Sequence, residues 1–117
     1  LGAAALPDIG VLFPNTDLAY SGIDSAKLLN AVAARISEAG FRVGNIDATV
    51  IAEAPKIAPH IARMQARIGG ILGLEPALVG IKATTNEGLG ALGRGEGIAA
   101  HAVAILRPSQ SAVRQIQ

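Results

Sequence analysis

The chain contains no cysteine and no tryptophan, and only one tyrosine and two phenylalanines among 117 residues. Without cysteine there is no disulfide framework, no thiolate metal site and no cysteine nucleophile, and a reducing compartment is permitted. Aromatics at 3% leave the hydrophobic half of the composition to Ala, Ile, Leu and Val. The apolar surface is therefore aliphatic, and packing against further copies of the chain is expected. An excess of one charge is lacking too: ten cations stand against nine acids, with no long basic run. That excludes a broad electrostatic surface for nucleic acid, so any phosphate site has to be local. No apolar run approaches the roughly 20 residues that span a bilayer, and the opening LGAAALPD lacks the charged region of a signal peptide. A soluble chain with no membrane partner is expected. It opens at Leu1 without methionine, in what reads as a last helical turn stopped by Pro7, so an element is expected upstream.

What is present is concentrated in residues 82–100, KATTNEGLGALGRGEGIAA, with an apolar run on either side. Gly88, Gly90, Gly93, Gly95 and Gly97 allow close backbone approach and can turn N–H groups toward an anion. Thr84 and Thr85 can donate hydroxyl hydrogen bonds to phosphate oxygens. Glu87 and Glu96 repel a bare phosphate unless a divalent cation or an arginine intervenes. Lys82 and Arg94 supply positive charge. By composition alone this stretch is a phosphate site or a plain tight turn, and its spacing fits neither a Walker loop nor a dinucleotide fingerprint. A flavin or dinucleotide binder is disfavoured for the same reason.

The remaining segments predict an α/β chain of one domain. Residues 8–24 form a long loop punctuated by Gly10, Pro14 and Gly22 and anchored by Val11, Leu12 and Phe13; loops of that length are usually functional or disordered. Asp24 or Ser25 caps a helix with Leu28, Leu29, Val32 and Ile36 at helical spacing, ended by Gly40. A strand over 41–53 puts Asn45, Asp47 and Thr49 on one face with Val43 and Ile51, so that face is partly polar. The turn APKIAP holds Lys56 between prolines. A helix from about Pro59 carries Ile61, Met64, Ile68, Ile71 and Leu72 inside and Arg63, Gln65 and Arg67 outside, with Gly69 and Gly70 weakening its second half. Strands over 79–84 and 98–107 follow, the first as a right-handed parallel crossover. A helical turn within 87–93 separates them, and 108–117 reads as a polar tail. There is no internal repeat and no linker.

The ordered set DIGxLFPxTD, GIDSxxLL, NIDATVIAEAPKIAPHI and KATTxEGLGxxGRGEGIAAHAVAIL is far more specific. From Leu1 to about Leu106 it resembles the 2-C-methyl-D-erythritol 2,4-cyclodiphosphate synthase family of the non-mevalonate isoprenoid pathway. The resemblance implies a mixed sheet backed by helices on one side, in a homotrimer whose sheets line the interior and whose active sites lie between subunits. Residues 1–107 would be the synthase domain without its amino-terminal part. The implied location is the bacterial cytoplasm or a plastid. The implied reaction cyclises 4-diphosphocytidyl-2-C-methyl-D-erythritol 2-phosphate with release of CMP.

Carried over residue by residue, the resemblance implies that Asp8, Ile9, Gly10, Phe13, Pro14, Asn15, Thr16 and Asp17 hold the methylerythritol phosphate end. Ala52, Glu53, Ala54, Pro55, Lys56, Ile57 and Ala58 would hold the cytidine diphosphate end, chiefly through backbone groups and Lys56. Thr84, Thr85 and Asn86 would meet the diphosphate, with Thr85 catalytic through transition-state stabilisation. Glu87 would ligate a Mg2+ or Mn2+ ion bridging the phosphates. Ala91 and Arg94 would border the trimer axis, where an isoprenoid-like diphosphate can bind. Asn15 stands where the family usually has Asp, Ala91 where it has Phe and Asn86 where it has Thr. The family's zinc ligands, an Asp-x-His pair and a later His, belong to the part expected upstream, and neither His60 nor His101 matches one.

Plainer roles remain open for several of these residues. His101 reads as a core or interface histidine and His60 as an exposed one. Asp8 and Asp17 can simply cap turns, and Lys56 can be a solvated charge. Glu96 beside Arg94 reads as an ion pair at an interface. The alternative to an enzyme is a non-catalytic trimeric module that binds a nucleotide or diphosphate.

Overall fold

The computed structural model of the chain describes residues 1–109. Its regular elements are the one-turn helix α1 (Ile9–Leu12), helix α2 (Ser25–Glu38), strand β1 (Phe41–Ile51), helix α3 (Ile61–Leu72), strand β2 (Val79–Thr84), the one-turn helix α4 (Gly90–Gly93) and strand β3 (Ala99–Pro108). The strands form a three-stranded mixed sheet in the order β2-β1-β3, which is the α/β architecture expected. By its internal contacts the described chain divides into two compact units, residues 1–44 with 105–109, and residues 45–104.

In the first unit the expected loop over 8–24 is more regular than its sequence suggests. Asp8 accepts a hydrogen bond from Gly10 N and so caps α1, and Asp17 accepts from Ala19 N at 2.9 Å and caps a 3-10 turn, Leu18–Tyr20. Short side chains that satisfy otherwise orphaned amides let single helical turns form without periodicity. Leu12 and Phe13 are half-buried, but Val11 is 64% exposed and is no anchor. Asp24 caps α2 by accepting from Ala26 N at 2.8 Å. Ile36 is its buried residue, and Gly40, at a φ of 91°, turns the chain out of the helix just after Ala39. The last residues of β3 run antiparallel to the start of β1: Ser109 N donates to Gly40 O, and Gly44 lies against Ile105 and Arg107. β3 therefore ends at Pro108, and the rest of the expected tail, 110–117, lies outside the described residues.

In the second unit β1 and β2 pair in parallel from Ile46↔Val79 to Ile51↔Thr84. β1 stops at Ile51 rather than 53, although Ala52 N still donates to Thr84 O. Parallel strands need a crossover, and α3 supplies it by packing on β2. Gln65, expected outside, is half-buried, and its Nε2 donates to Val79 O at 2.8 Å, which ties helix to strand. Val79, Ile81 and Ala52 are the buried apolar residues here. His101 on β3 is exposed, so it is not a core histidine. Among the described residues no helix is long and apolar enough to cross a membrane.

The glycine pair in α3 has two different roles. Gly73, at a φ of 71°, reverses the chain, and Leu74 N returns to Gly69 O at 2.8 Å. A Cβ on Gly69 would sit 2.6 Å from Leu74 O, whereas one on Gly70 meets nothing within 4 Å. Only Gly70 is a plain weakening of the helix. Urea unfolding is expected to show Gly69→Ala destabilised by about 1–3 kcal/mol through overpacking. Gly70→Ala is expected to gain roughly 0.5–1 kcal/mol from helix propensity. Shifts of the same sign would contradict this assignment.

Candidate functional site

The last register pair, Ile51↔Thr84, means that the loops after β1 and β2 leave the sheet at the same end. Carboxyl ends of parallel strands are where α/β proteins collect ligand-binding loops, because the turns there are free of the ladder. The first loop carries Ala52, Glu53, Ala54, Pro55, Lys56, Ile57 and Ala58, and the second carries Thr84, Thr85, Asn86 and Glu87. The structure thus brings together two segments that are some thirty residues apart in the chain.

One carboxylate joins them. Glu53 Oε1 accepts from Asn86 N at 2.9 Å and from Gly88 N at 3.3 Å. Those are amides that the sequence offers to an external anion, so in this loop the chain's own carboxylate occupies the backbone donors. Glu87, lying between them, has a φ of 56°, and Gly88 follows at 72°. Asn86 Nδ2 donates to Leu89 O at 2.7 Å, and Leu89 N returns to Asn86 O. The expected helical turn exists as α4, but with no side-chain cap, and its four residues are too short to carry a useful dipole.

The hydroxyls differ. Thr84 Oγ1 donates to Thr85 O at 3.3 Å, while Thr85 Oγ1 accepts from Glu87 N at 3.3 Å. A hydroxyl that accepts keeps its own hydrogen for donation. Both threonines and Glu87 are exposed.

The two cations assigned to an anion site are both paired with carboxylates. Lys82 Nζ meets Asp47 Oδ1, its diagonal neighbour across the parallel pair, and Arg94 Nε meets Glu96 Oε2 at 2.7 Å. All four side chains are more than half exposed, so each pair contributes at most about 1 kcal/mol. The Arg94–Glu96 pair is the one expected; the Lys82–Asp47 pair corrects the assignment of Lys82. Lys56 is exposed and has no ion-pair partner among the described residues. His60 Nδ1 bonds Arg63 Nη2 at 2.6 Å.

The residues assigned to the methylerythritol end lie in the other unit. Asp8, Ile9, Gly10, Asn15, Thr16 and Asp17 are exposed, as is Pro14, whose carbonyl receives Asp17 N at 3.1 Å; Phe13 is half-buried. The plain capping role of Asp8 and Asp17 is present and uses one carboxylate oxygen of each. Ala91 is exposed beside α4.

Fold and loops together define an α/β protein that gathers hydroxyl, carboxylate and ammonium groups at the carboxyl ends of two parallel strands. The chain belongs to the YgbB family, which it matches over residues 1–107. It is 58% identical over 106 residues to the 2-C-methyl-D-erythritol 2,4-cyclodiphosphate synthase of Thioalkalivibrio sulfidiphilus, covering 91% of this chain and 66% of that protein. Among solved structures it is similar to the bifunctional IspDF of Campylobacter jejuni, with a TM-score of 0.88, 40% identity, and 92% of this chain on 29% of that one. A CDP complex of IspF from Plasmodium falciparum matches with a TM-score of 0.80 and 31% identity, over 94% of this chain and 65% of that one. The chain therefore spans just under two thirds of the length of two of these relatives and less than a third of the other.

The donor chemistry suits one kind of metal and not another. An exposed carboxylate on a fixed turn, as at Glu87, fits a hard divalent cation such as Mg2+ or Mn2+ whose other ligands are phosphate oxygens and water. Zinc asks for a gathered set of nitrogen, sulfur or carboxylate donors. Among the described residues no three His, Cys, Asp or Glu side chains gather in that way, so the donors of this chain do not fit zinc.

Of Gly88, Gly90, Gly93, Gly95 and Gly97, only Gly93 is required by close packing. A Cβ on Gly93 would fall 2.1 Å from the Gly88 carbonyl carbon, while one on Gly97 meets nothing within 4 Å. Gly93→Ala is expected to lose about 1–3 kcal/mol or more in urea unfolding, because backbone cannot give way as a side chain can. It should also shift the amide resonances of residues 86–90. Gly97→Ala is expected to change stability by less than about 1 kcal/mol and leave those resonances in place.

Proposed function

We propose that this chain forms the greater part of a 2-C-methyl-D-erythritol 2,4-cyclodiphosphate synthase acting in isoprenoid precursor biosynthesis. Its substrate is 4-diphosphocytidyl-2-C-methyl-D-erythritol 2-phosphate: an oxygen of the 2-phosphate attacks the β-phosphorus, the bond to the CMP oxygen breaks, and a cyclic diphosphate forms. The observation that carries this reading is the meeting of residues 52–58 and 84–87 at one end of a parallel strand pair. Family membership and the likeness to a CDP complex of IspF support it.

Such a transfer asks the protein for positioning and charge stabilisation more than for covalent chemistry. Lys56 and the backbone of its loop hold the cytidine diphosphate. Thr85, whose hydroxyl retains its hydrogen, donates to the non-bridging oxygens as charge builds there, and Thr84 and Asn86 flank it. Glu87 is the ligand for Mg2+ or Mn2+, which when bound draws negative charge off the diphosphate. Asp8 to Gly10 and Phe13 to Asp17 hold the methylerythritol phosphate. At the axis of a homotrimer, Ala91 and Arg94 border a cavity open to an isoprenoid-like diphosphate, which competes with Glu96 for the guanidinium. Ile98, Val103 and Ile105 support the trimer, since they are 57%, 70% and 54% exposed on or beside one strand. A bacterial cytoplasm or a plastid is the compartment this chemistry implies.

Calorimetric titration of the chain with CDP and Mg2+ is expected to give a dissociation constant in the micromolar range, about −8 kcal/mol. Lys56→Ala and Glu87→Gln are each expected to weaken it at least about tenfold, or ~1.4 kcal/mol. The full-length gene product should release CMP from the substrate, and sedimentation should show three chains. Wild-type affinity in both variants would remove the assigned roles; binding without CMP release would mark a non-catalytic diphosphate-binding module.

A further inference from the structure

We propose that Glu53 is the positioning residue of the diphosphate loop: its carboxylate clamps the backbone on both sides of Glu87 and thereby aims the cation ligand. The inference rests on the role just given to Glu87. It is carried by three observations within residues 45–104. First, a single oxygen, Glu53 Oε1, takes both Asn86 N and Gly88 N, the amides immediately before and after Glu87. Second, Glu87 itself sits at a φ of 56°, a left-handed conformation that a side chain with a Cβ adopts only at a cost of about 1–2 kcal/mol unless its surroundings impose it. Third, the two carboxylates are placed differently: Glu53 is half-buried, whereas Glu87 is exposed.

The geometry follows from the strand register. Ile51 and Thr84 are the last Cα partners, and Ala52 N donating to Thr84 O is the last backbone link between the two strands. Beyond that point the loop after β2 has no ladder to hold it. The Glu53 side chain, two residues past the end of β1, replaces the missing backbone acceptor and continues the ladder by a side chain. It accepts where a further strand carbonyl would have accepted, and a charged acceptor makes the stronger bond. With both flanking amides fixed, and Glu87 N itself directed to Thr85 Oγ1, the peptide on either side of Glu87 cannot rotate independently. Removing the acceptor frees Glu87 to relax to negative φ, which redirects its carboxylate.

The clamp works through hydrogen-bond acceptance, so a neutral acceptor of the same length should replace it and a truncated one should not. Glu53→Ala and Glu53→Asp, the latter too short to span both amides, are expected to weaken Mn2+ binding in the presence of CDP by about 10–100-fold, read by Mn2+ electron paramagnetic resonance. Glu53→Gln is expected to stay within about threefold of wild type. Amide hydrogen exchange at Asn86 and Gly88 should quicken in the Ala and Asp variants and remain slow in the Gln variant. Wild-type Mn2+ affinity in both Glu53→Ala and Glu53→Asp, or a Gln variant as weak as Ala, would overturn the proposal. Absence of Mn2+ binding to the wild-type chain with CDP would instead overturn the role of Glu87, while the exchange rates at Asn86 and Gly88 would still accept or reject the clamp.

Discussion

The parallel register of β1 against β2 is the constraint on which the rest of the second unit depends. Side chains alternate along a strand, so a slip of one residue would turn Val79 and Ile81 from buried to exposed and would carry the loops out of step. Val79 is fully buried and its carbonyl receives Gln65, which means that helix, strand and register are locked at the same residue. At the other end of the strand the same register sets Ile51 beside Thr84, and that is where the two loops leave the sheet.

Electrostatics in this region works by mutual occupation. A glycine-rich stretch with lysine and arginine suggests open amides and free cations waiting for phosphate. Instead Lys82 meets Asp47, Arg94 meets Glu96, and two of the amides belong to Glu53. The unpaired side-chain groups on the loops are one carboxylate, one hydroxyl hydrogen and one lysine, a set that under the proposed function would meet a diphosphate carrying its own divalent cation. A bare anion would meet Glu87 unscreened, and the repulsion between like charges a few ångströms apart is several kcal/mol at an effective dielectric of about 20.

How much of this was legible in the sequence depended on the range of the interaction. Helix α2 and strand β2 could be read nearly to the residue, because the Asp24 cap, the spacing of Leu28, Leu29, Val32 and Ile36, and the short β-branched run are local signals. The bounds of β1 and the caps of Asp8 and Asp17 were partly legible for the same reason. The Glu53 bridge, the Gln65 bond and the role of Gly69 were not, since each depends on a partner that only tertiary packing supplies; Glu53 meets amides 33 and 35 residues away. The Lys82–Asp47 pair lies between these cases. Once β1 and β2 are aligned by their apolar residues, Lys82 stands opposite Thr49 with Asp47 two residues along the same face, so the pairing could have been inferred from register alone. Of the site residues named through family resemblance, those in 8–17 belong to the first unit and those in 52–94 to the second.

The same accounting bears on why such a chain would associate. Ile36, Ala52, Val79 and Ile81 are the buried apolar residues among those described, and of these only Val79 is fully withdrawn from water, a small core for a chain half of whose residues are hydrophobic. Ile98, Val103 and Ile105 remain largely exposed on or beside β3, and β3 is an edge of the sheet. Each such side chain gives up roughly 1–2 kcal/mol by staying in water, and an apolar edge strand is a template for other chains unless something covers it. Small aliphatic side chains with few rotamers lose little entropy on being covered, so most of that free energy is recovered on association. An assembly built on β3 would thus stabilise the protomer by that burial.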